Sequence, residues 1–123
     1  MDEDRIAVAR RCYQAYADGD RAAIEAVIGD DFSFTSPVDN ALDRKTYFER
    51  CWPNHTHFAG FRFVHLVADG ERVFVTYEAW THTGKAFRNT EILTICSGRL
   101  VAVEVYFGWS LPHEATPSGF VER

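Results

Sequence analysis

After residue 60 the chain carries no helical pattern, and that asymmetry limits its possible folds more than anything else in it. Phe61–Ala68, Arg72–Thr81, Ala86–Ser97 and Leu100–Trp109 are β-branched and aromatic runs of strand length. Asp69-Gly70 joins the first pair, Thr83-Gly84-Lys85 the middle pair and Ser97-Gly98 the last, each a tight-turn signal. Strands joined this way form an antiparallel meander. Before residue 60 the pattern is mostly helical. Ile6, Ala9, Tyr13 and Tyr16 recur at helical spacing, with Asp2 or Asp4 as the cap. Asp18-Gly19-Asp20 stops that helix on Gly and caps a second, whose stripe is Ile24, Val27 and Ile28 and whose stop is Gly29. A short alternating strand, Phe32–Ser36, is halted by Pro37. Asp43 then caps a third helix, which carries Tyr47, Phe48, Cys51 and Trp52 to a stop at Pro53. Helices first and a meander after them predict an α+β fold, the three helices packed on one face of the sheet.

Composition supports one folding unit. The chain has 123 residues, 46% hydrophobic and 15% aromatic, enough to build a core without a disulfide or a structural metal. A formal net charge of −5 with no basic cluster excludes a nucleic-acid partner. No run of 18 apolar residues occurs, so no membrane-spanning helix is expected, and the acidic start Met1-Asp2-Glu3-Asp4-Arg5 does not read as a secretory signal. Cys12, Cys51 and Cys96 are odd in number and set in apolar sequence, which reads as reduced thiols of a cytoplasmic protein. The strands break alternation at Val73-Phe74-Val75, Val101-Ala102-Val103 and Val105-Tyr106-Phe107. Both sheet faces are then expected to be covered, one by the helices and the other by a second subunit in a homodimer.

Three segments carry a resemblance. The junction Tyr16-Ala17-Asp18-Gly19-Asp20, the strand end Phe34-Thr35-Ser36-Pro37 and the closing hairpin from Ser97 to Trp109 together resemble the SnoaL-like branch of the nuclear transport factor 2-like superfamily, over residues 3–111. The resemblance implies a single domain with a tail at 112–123. It also implies a cone-shaped, curved antiparallel sheet with the helices on its concave face around a pocket, and a dimer. It does not imply one reaction, because the superfamily spans polyketide cyclases, a ketosteroid isomerase, epoxide hydrolases, dehydratases and members without chemistry. Against the isomerase, Ser36 stands where a base Asp precedes the strand-ending Pro, and Cys12 stands where a helix Tyr donates. Glu91 stands where a protonated Asp lies. Two of the three roles are replaced, which argues against isomerisation by that mechanism.

Glu91 is the candidate acid or base, because a carboxyl among Phe87, Leu93 and Ile95 has its charged form disfavoured. The alternative places it at the dimer seam. Tyr16 is the candidate catalytic partner. Ser36 either orients a ligand or caps the Pro37 turn, since a serine without a neighbouring base is a weak nucleophile. Asp39 either reaches the pocket mouth or serves an Asx turn. His55 and His57 either contact a ligand at the mouth or lie on a surface loop, and a His-x-His pair without a third ligand is no metal site. Cys12, Phe34, Trp52, Tyr77, Asn89, Val103, Phe107 and Trp109 complete the expected lining, with Glu104 and Tyr106 facing the partner subunit. Two readings follow. One is a ligand-binding protein that takes a small apolar, carbonyl-bearing molecule, with cofactor-independent acid–base catalysis of isomerase, cyclase or hydratase type. The other is a non-catalytic binding or dimerisation module of the same fold.

Overall fold

The computed structural model describes residues 2–122. Helix α1 (Asp2–Asp18) ends at Gly19, whose φ of +67° suits a residue without Cβ. The Asp20 carboxylate then accepts a hydrogen bond from the Ala23 N–H (3.1 Å) and caps α2 (Arg21–Val27). Asp4 lies inside α1, so it is not the cap. Helix α2 stops at Val27, and Ile28-Gly29 already belongs to strand β1 (Ile28–Ser36). Strand β2 (Asp39–Leu42) folds back on β1. Asp43 caps α3 (Arg44–Arg50) by accepting from the Thr46 N–H (2.8 Å). The chain tightens into a 3₁₀ turn, Trp52–His57, and Pro53 sits near its start instead of ending α3, where its missing N–H costs nothing.

The long strands follow the sequence pattern closely: β3 (Phe58–Asp69), β4 (Arg72–Thr81), β5 (Ala86–Cys96) and β6 (Arg99–Leu111). Ser97 and Gly98 have φ values of +53° and +75°, as a two-residue hairpin turn requires. The curved sheet has six strands in the order β2-β1-β6-β5-β4-β3. It is mixed, not wholly antiparallel as expected, because β1 runs parallel to β6 with Phe34 opposite Val103. Among the paired strands, β1 and β6 alone are separated by a long stretch of chain, as a parallel pair requires.

Helix α1 packs against β3, β4 and β5, while α3 packs against β1. The buried centre of α1 is Val8, Ala9, Cys12 and Ala15, with Tyr13 and Tyr16 at its edge. These meet Val73, Val75, Tyr77, Leu93, Ile95, Val103 and Val105, alternate residues on one face of the sheet. On the other face Phe74, Trp80, Tyr106 and Trp109 stay substantially exposed. Among the described residues, no helix is long and apolar enough to cross a membrane.

Candidate functional site

Between the helices and the sheet lies a cavity of about 380 Å³, open to solvent at one side. That is within the usual range for small-molecule sites. Its wall is mainly apolar and rich in aromatic rings. Tyr13 and Tyr16 come from α1, Phe58 and Phe61 from β3, Tyr77 from β4, and Phe87 from β5. The Tyr13 ring sits among Phe61 (6.0 Å), Phe63 (5.4 Å) and Tyr77 (5.3 Å), so its χ angles are held by packing.

One carboxyl stands within this wall. Glu91 lies mid-strand in β5, opposite Val75 on β4 and Val105 on β6, and its remaining accessibility is toward the cavity. The Tyr13 hydroxyl donates to one carboxyl oxygen (2.7 Å) and the Tyr77 hydroxyl to the other (2.8 Å). Burial pushes the carboxyl above the ordinary range of 4.5, and the two hydroxyl bonds pull it back only in part. Among the described residues lining the cavity there is no Lys, Arg or His. Glu91 therefore has hydrogen-bond partners but no counter-charge.

The other polar groups sit elsewhere on the wall. Ser36 donates to Asp39 (2.8 Å) and accepts from the Val38 N–H (3.1 Å), so the turn and the cavity rim are one structure. Asn89 accepts from the Gly108 N–H (3.1 Å) across to β6. Desolvation raises the thiols of Cys12 and Cys51, to about 12 and about 11, so neither is a thiolate nucleophile at neutral pH.

Of the sequence candidates, Glu91, Tyr16, Cys12, Phe34, Ser36, Tyr77, Asn89, Val103 and Phe107 line the cavity, and Asp39 joins them. Trp52, His55, His57 and Trp109 do not. Trp52 is buried behind Tyr16, with ring centroids 5.7 Å apart, and His55 stacks on Trp52 at 4.7 Å. His57 ends the 3₁₀ turn, where its carbonyl accepts from the His82 N–H (3.1 Å). Trp109 is thrown to the outer face by a bulge that sets it opposite Arg88, while Phe107 stays opposite Asn89. Gly108 makes that bulge possible, because a Cβ there would overlap the Arg88 carbonyl. The Tyr16 hydroxyl donates to the Cys51 carbonyl (3.4 Å) instead of to Glu91. The tyrosines on Glu91 are Tyr13, one turn earlier on α1, and Tyr77. Among the described residues no three His, Cys, Asp or Glu side chains converge as a metal would need.

A curved six-stranded sheet with helices over a cavity rich in aromatic rings is the nuclear transport factor 2-like class of fold, and similar solved structures agree. An NTF2-like protein of unknown function from Burkholderia xenovorans LB400 matches with a TM-score of 0.74 and 25% identity, covering 100% of this chain and 98% of that one. An LEH-like epoxide hydrolase from M. tuberculosis matches at 0.74 and 16% identity, covering 87% and 80%. A de novo designed protein with a curved β-sheet reaches 0.77 at 12% identity, covering 88% of each chain. The last shows that this shape arises without any inherited activity. A sequence profile of the SnoaL-like domain matches residues 9–110, and the chain belongs to that family. No functionally curated protein matches its sequence.

Proposed function

We propose that this chain binds a small apolar molecule bearing a carbonyl oxygen, in the cavity that the helices close over the concave face of the sheet. The observation that carries this reading is the Glu91 carboxyl, set in an aromatic wall and held on both oxygens by tyrosine hydroxyls. A few convergent polar groups in a mostly apolar cavity are what orient a small ligand. A second reading, acid–base turnover of isomerase, cyclase or hydratase type, is favoured by Asp39. Its side chain lies on the same wall as Glu91, and acid–base catalysis commonly uses a pair of ionisable groups. Such chemistry uses no cofactor. The exposed outer face with Phe74, Trp80 and Tyr106 supports a homodimer joined through the sheet.

Native mass spectrometry of freshly purified protein, followed by denaturation to release small molecules, tests the reading. A stoichiometric apolar adduct that competes with an added aromatic ketone supports it. Failure of aromatic ketones and hydrocarbons of cavity size to bind at any pH rejects it.

A further inference from the structure

We propose that the outer sheet face pairs with a second copy of this chain in one orientation only, in which Glu104 of each copy meets the Arg62–Glu78–Arg88 cluster of the other. This rests on the homodimer reading above and fixes how the two copies are set.

The inference comes from the order of charges along the strands. Three neighbouring rows of side chains cross the outer face. Arg62, Glu78, Arg88 and Trp109 form the first. Thr76, Thr90 and Tyr106 form the middle row, and Phe74, Ile92 and Glu104 the third. In the first row two guanidinium groups share one carboxylate, Arg62 at 2.8 Å and Arg88 at 2.6 Å, which leaves one positive charge over. In the third row Glu104 leaves one negative charge. Its carboxylate accepts from the Tyr106 hydroxyl (2.7 Å), and among the described residues no basic side chain pairs with it. The middle row carries no carboxylate, lysine or arginine, and its Thr76 and Thr90 hydroxyls already bond each other (2.8 Å). These rows are therefore positive at one end, negative at the other and neutral in sum, while the whole chain carries −5. Two copies repel across most of their surface and least across this face.

The order of charges also selects the orientation. Two sheets packed face to face are related by a two-fold axis lying between them, either along the strands or across them. An axis along the strands sets like rows together, guanidinium against guanidinium and Glu104 against Glu104. An axis across the strands at the middle row exchanges the first row with the third. Glu104 of one copy then meets the other copy's Arg88, which is already held over the Trp109 ring at 5.5 Å. Phe74 and Ile92 lie against the arginine stems, and every contact occurs twice. Like charges set opposite each other are costly, so the second arrangement is the one the face encodes. With the flanking Trp80 and Arg72 rows, strand spacings give the face about 19 by 34 Å, or roughly 650 Å², the order that one partner buries in a stable interface.

Sedimentation equilibrium on the full chain and two charge variants tests the orientation. Glu104→Arg makes both ends of the face positive, and Arg88→Glu makes both negative. Each variant alone should self-associate about a hundredfold more weakly than wild type, because two contacts per dimer turn repulsive. An equimolar mixture should recover a dimer of near wild-type strength with one copy of each, since every positive end then meets a negative one. If Arg88→Glu fails to fold, Arg62→Glu makes the same change of charge at the exposed sheet edge and takes its place. A folded Glu104→Arg chain that dimerises as tightly as wild type overturns the inference and leaves the homodimer reading standing. So does a mixture of two folded, monomeric variants that stays monomeric. A wild-type chain that is monomeric at every concentration removes the homodimer reading, and the inference falls with it.

Discussion

Two glutamates on neighbouring strands show how differently one sheet treats a carboxyl on its two faces. Glu78 on β4 points outward and Glu91 on β5 points inward. Glu78 is gripped by two guanidinium groups, Arg62 at 2.8 Å and Arg88 at 2.6 Å. Arg88 is itself held over the Trp109 ring at 5.5 Å. The hydrogen bonds from Arg88, then those from Arg62, keep the Glu78 carboxyl below its ordinary range although desolvation opposes them. Glu91 also has two donors, but they are neutral phenols, and burial wins over them. The number of hydrogen bonds is therefore not what decides a carboxyl's charge here. What decides the direction of its shift is whether the donors carry charge of their own: on the outer face fixed cations hold the carboxyl down, and on the inner face neutral phenols leave burial to push it up.

The largest break in this comparison comes from deleting the inner carboxyl. Glu91→Ala leaves the hydroxyls of Tyr13 and Tyr77 without their protein partner inside an apolar wall. We expect a loss of about 1–3 kcal/mol in urea unfolding, the cost of orphaned buried donors. An unchanged midpoint would mean that cavity water satisfies both hydroxyls, and that Glu91 and the two tyrosines are not a structural unit.

How much of this contrast is visible in the sequence depends on which geometry each residue needs. Glu91 is legible because alternation in β5 sets it on the same face as Phe87, Leu93 and Ile95, and alternation is a local property. Its partners are not. Tyr13 and Tyr16 are three residues apart on one stripe, and only the rotation of α1 against the sheet selects Tyr13 for the carboxyl. Tyr77 reaches Glu91 because the β4–β5 register puts Tyr77 opposite Asn89, leaving Glu91 as its diagonal neighbour on the same face. That register follows from turn geometry that Thr83-Gly84-Lys85 only hints at. Parity counting fails outright at Trp109, where the bulge at Arg88 and Asn89 sends it to the face opposite Phe107. The parallel β1–β6 pairing is missed for a related reason, because it depends on contacts across the chain, while the four-residue β2 is a local hairpin arm too short and polar to carry a period.

A pH series sharpens the comparison with an effect of intermediate size. The folded chain keeps the Glu91 proton at pH values where the unfolded chain, titrating near 4.5, has released it. The stability contributed by that proton is fully present below the unfolded value and declines as pH rises through the folded midpoint. Glu91→Gln has no proton to lose, so relative to wild type it should gain steadily as pH is raised from acid into the neutral range. A constant difference between the two chains across that range would mean that Glu91 titrates alike in the folded and unfolded chains, so that burial does not raise it.

The smallest effect belongs to the outer face, and its sign is opposite. Because Glu78 is held below its ordinary 4.5, its contribution exists above the unfolded value and is lost as pH falls through the folded one. Glu78→Gln should therefore destabilise slightly at neutral pH and match wild type in acid. Arg62 is 61% exposed at its side chain, so solvent reaches the pair and added salt should shrink the difference further. Salt should leave the Glu91→Gln profile almost untouched, since no charged partner stands beside Glu91 to be screened. Measuring both variants at low and high ionic strength tests the division directly. A salt-sensitive Glu91 would reveal a cation near the cavity and remove the distinction between a carboxyl paired by charge and one paired by its proton.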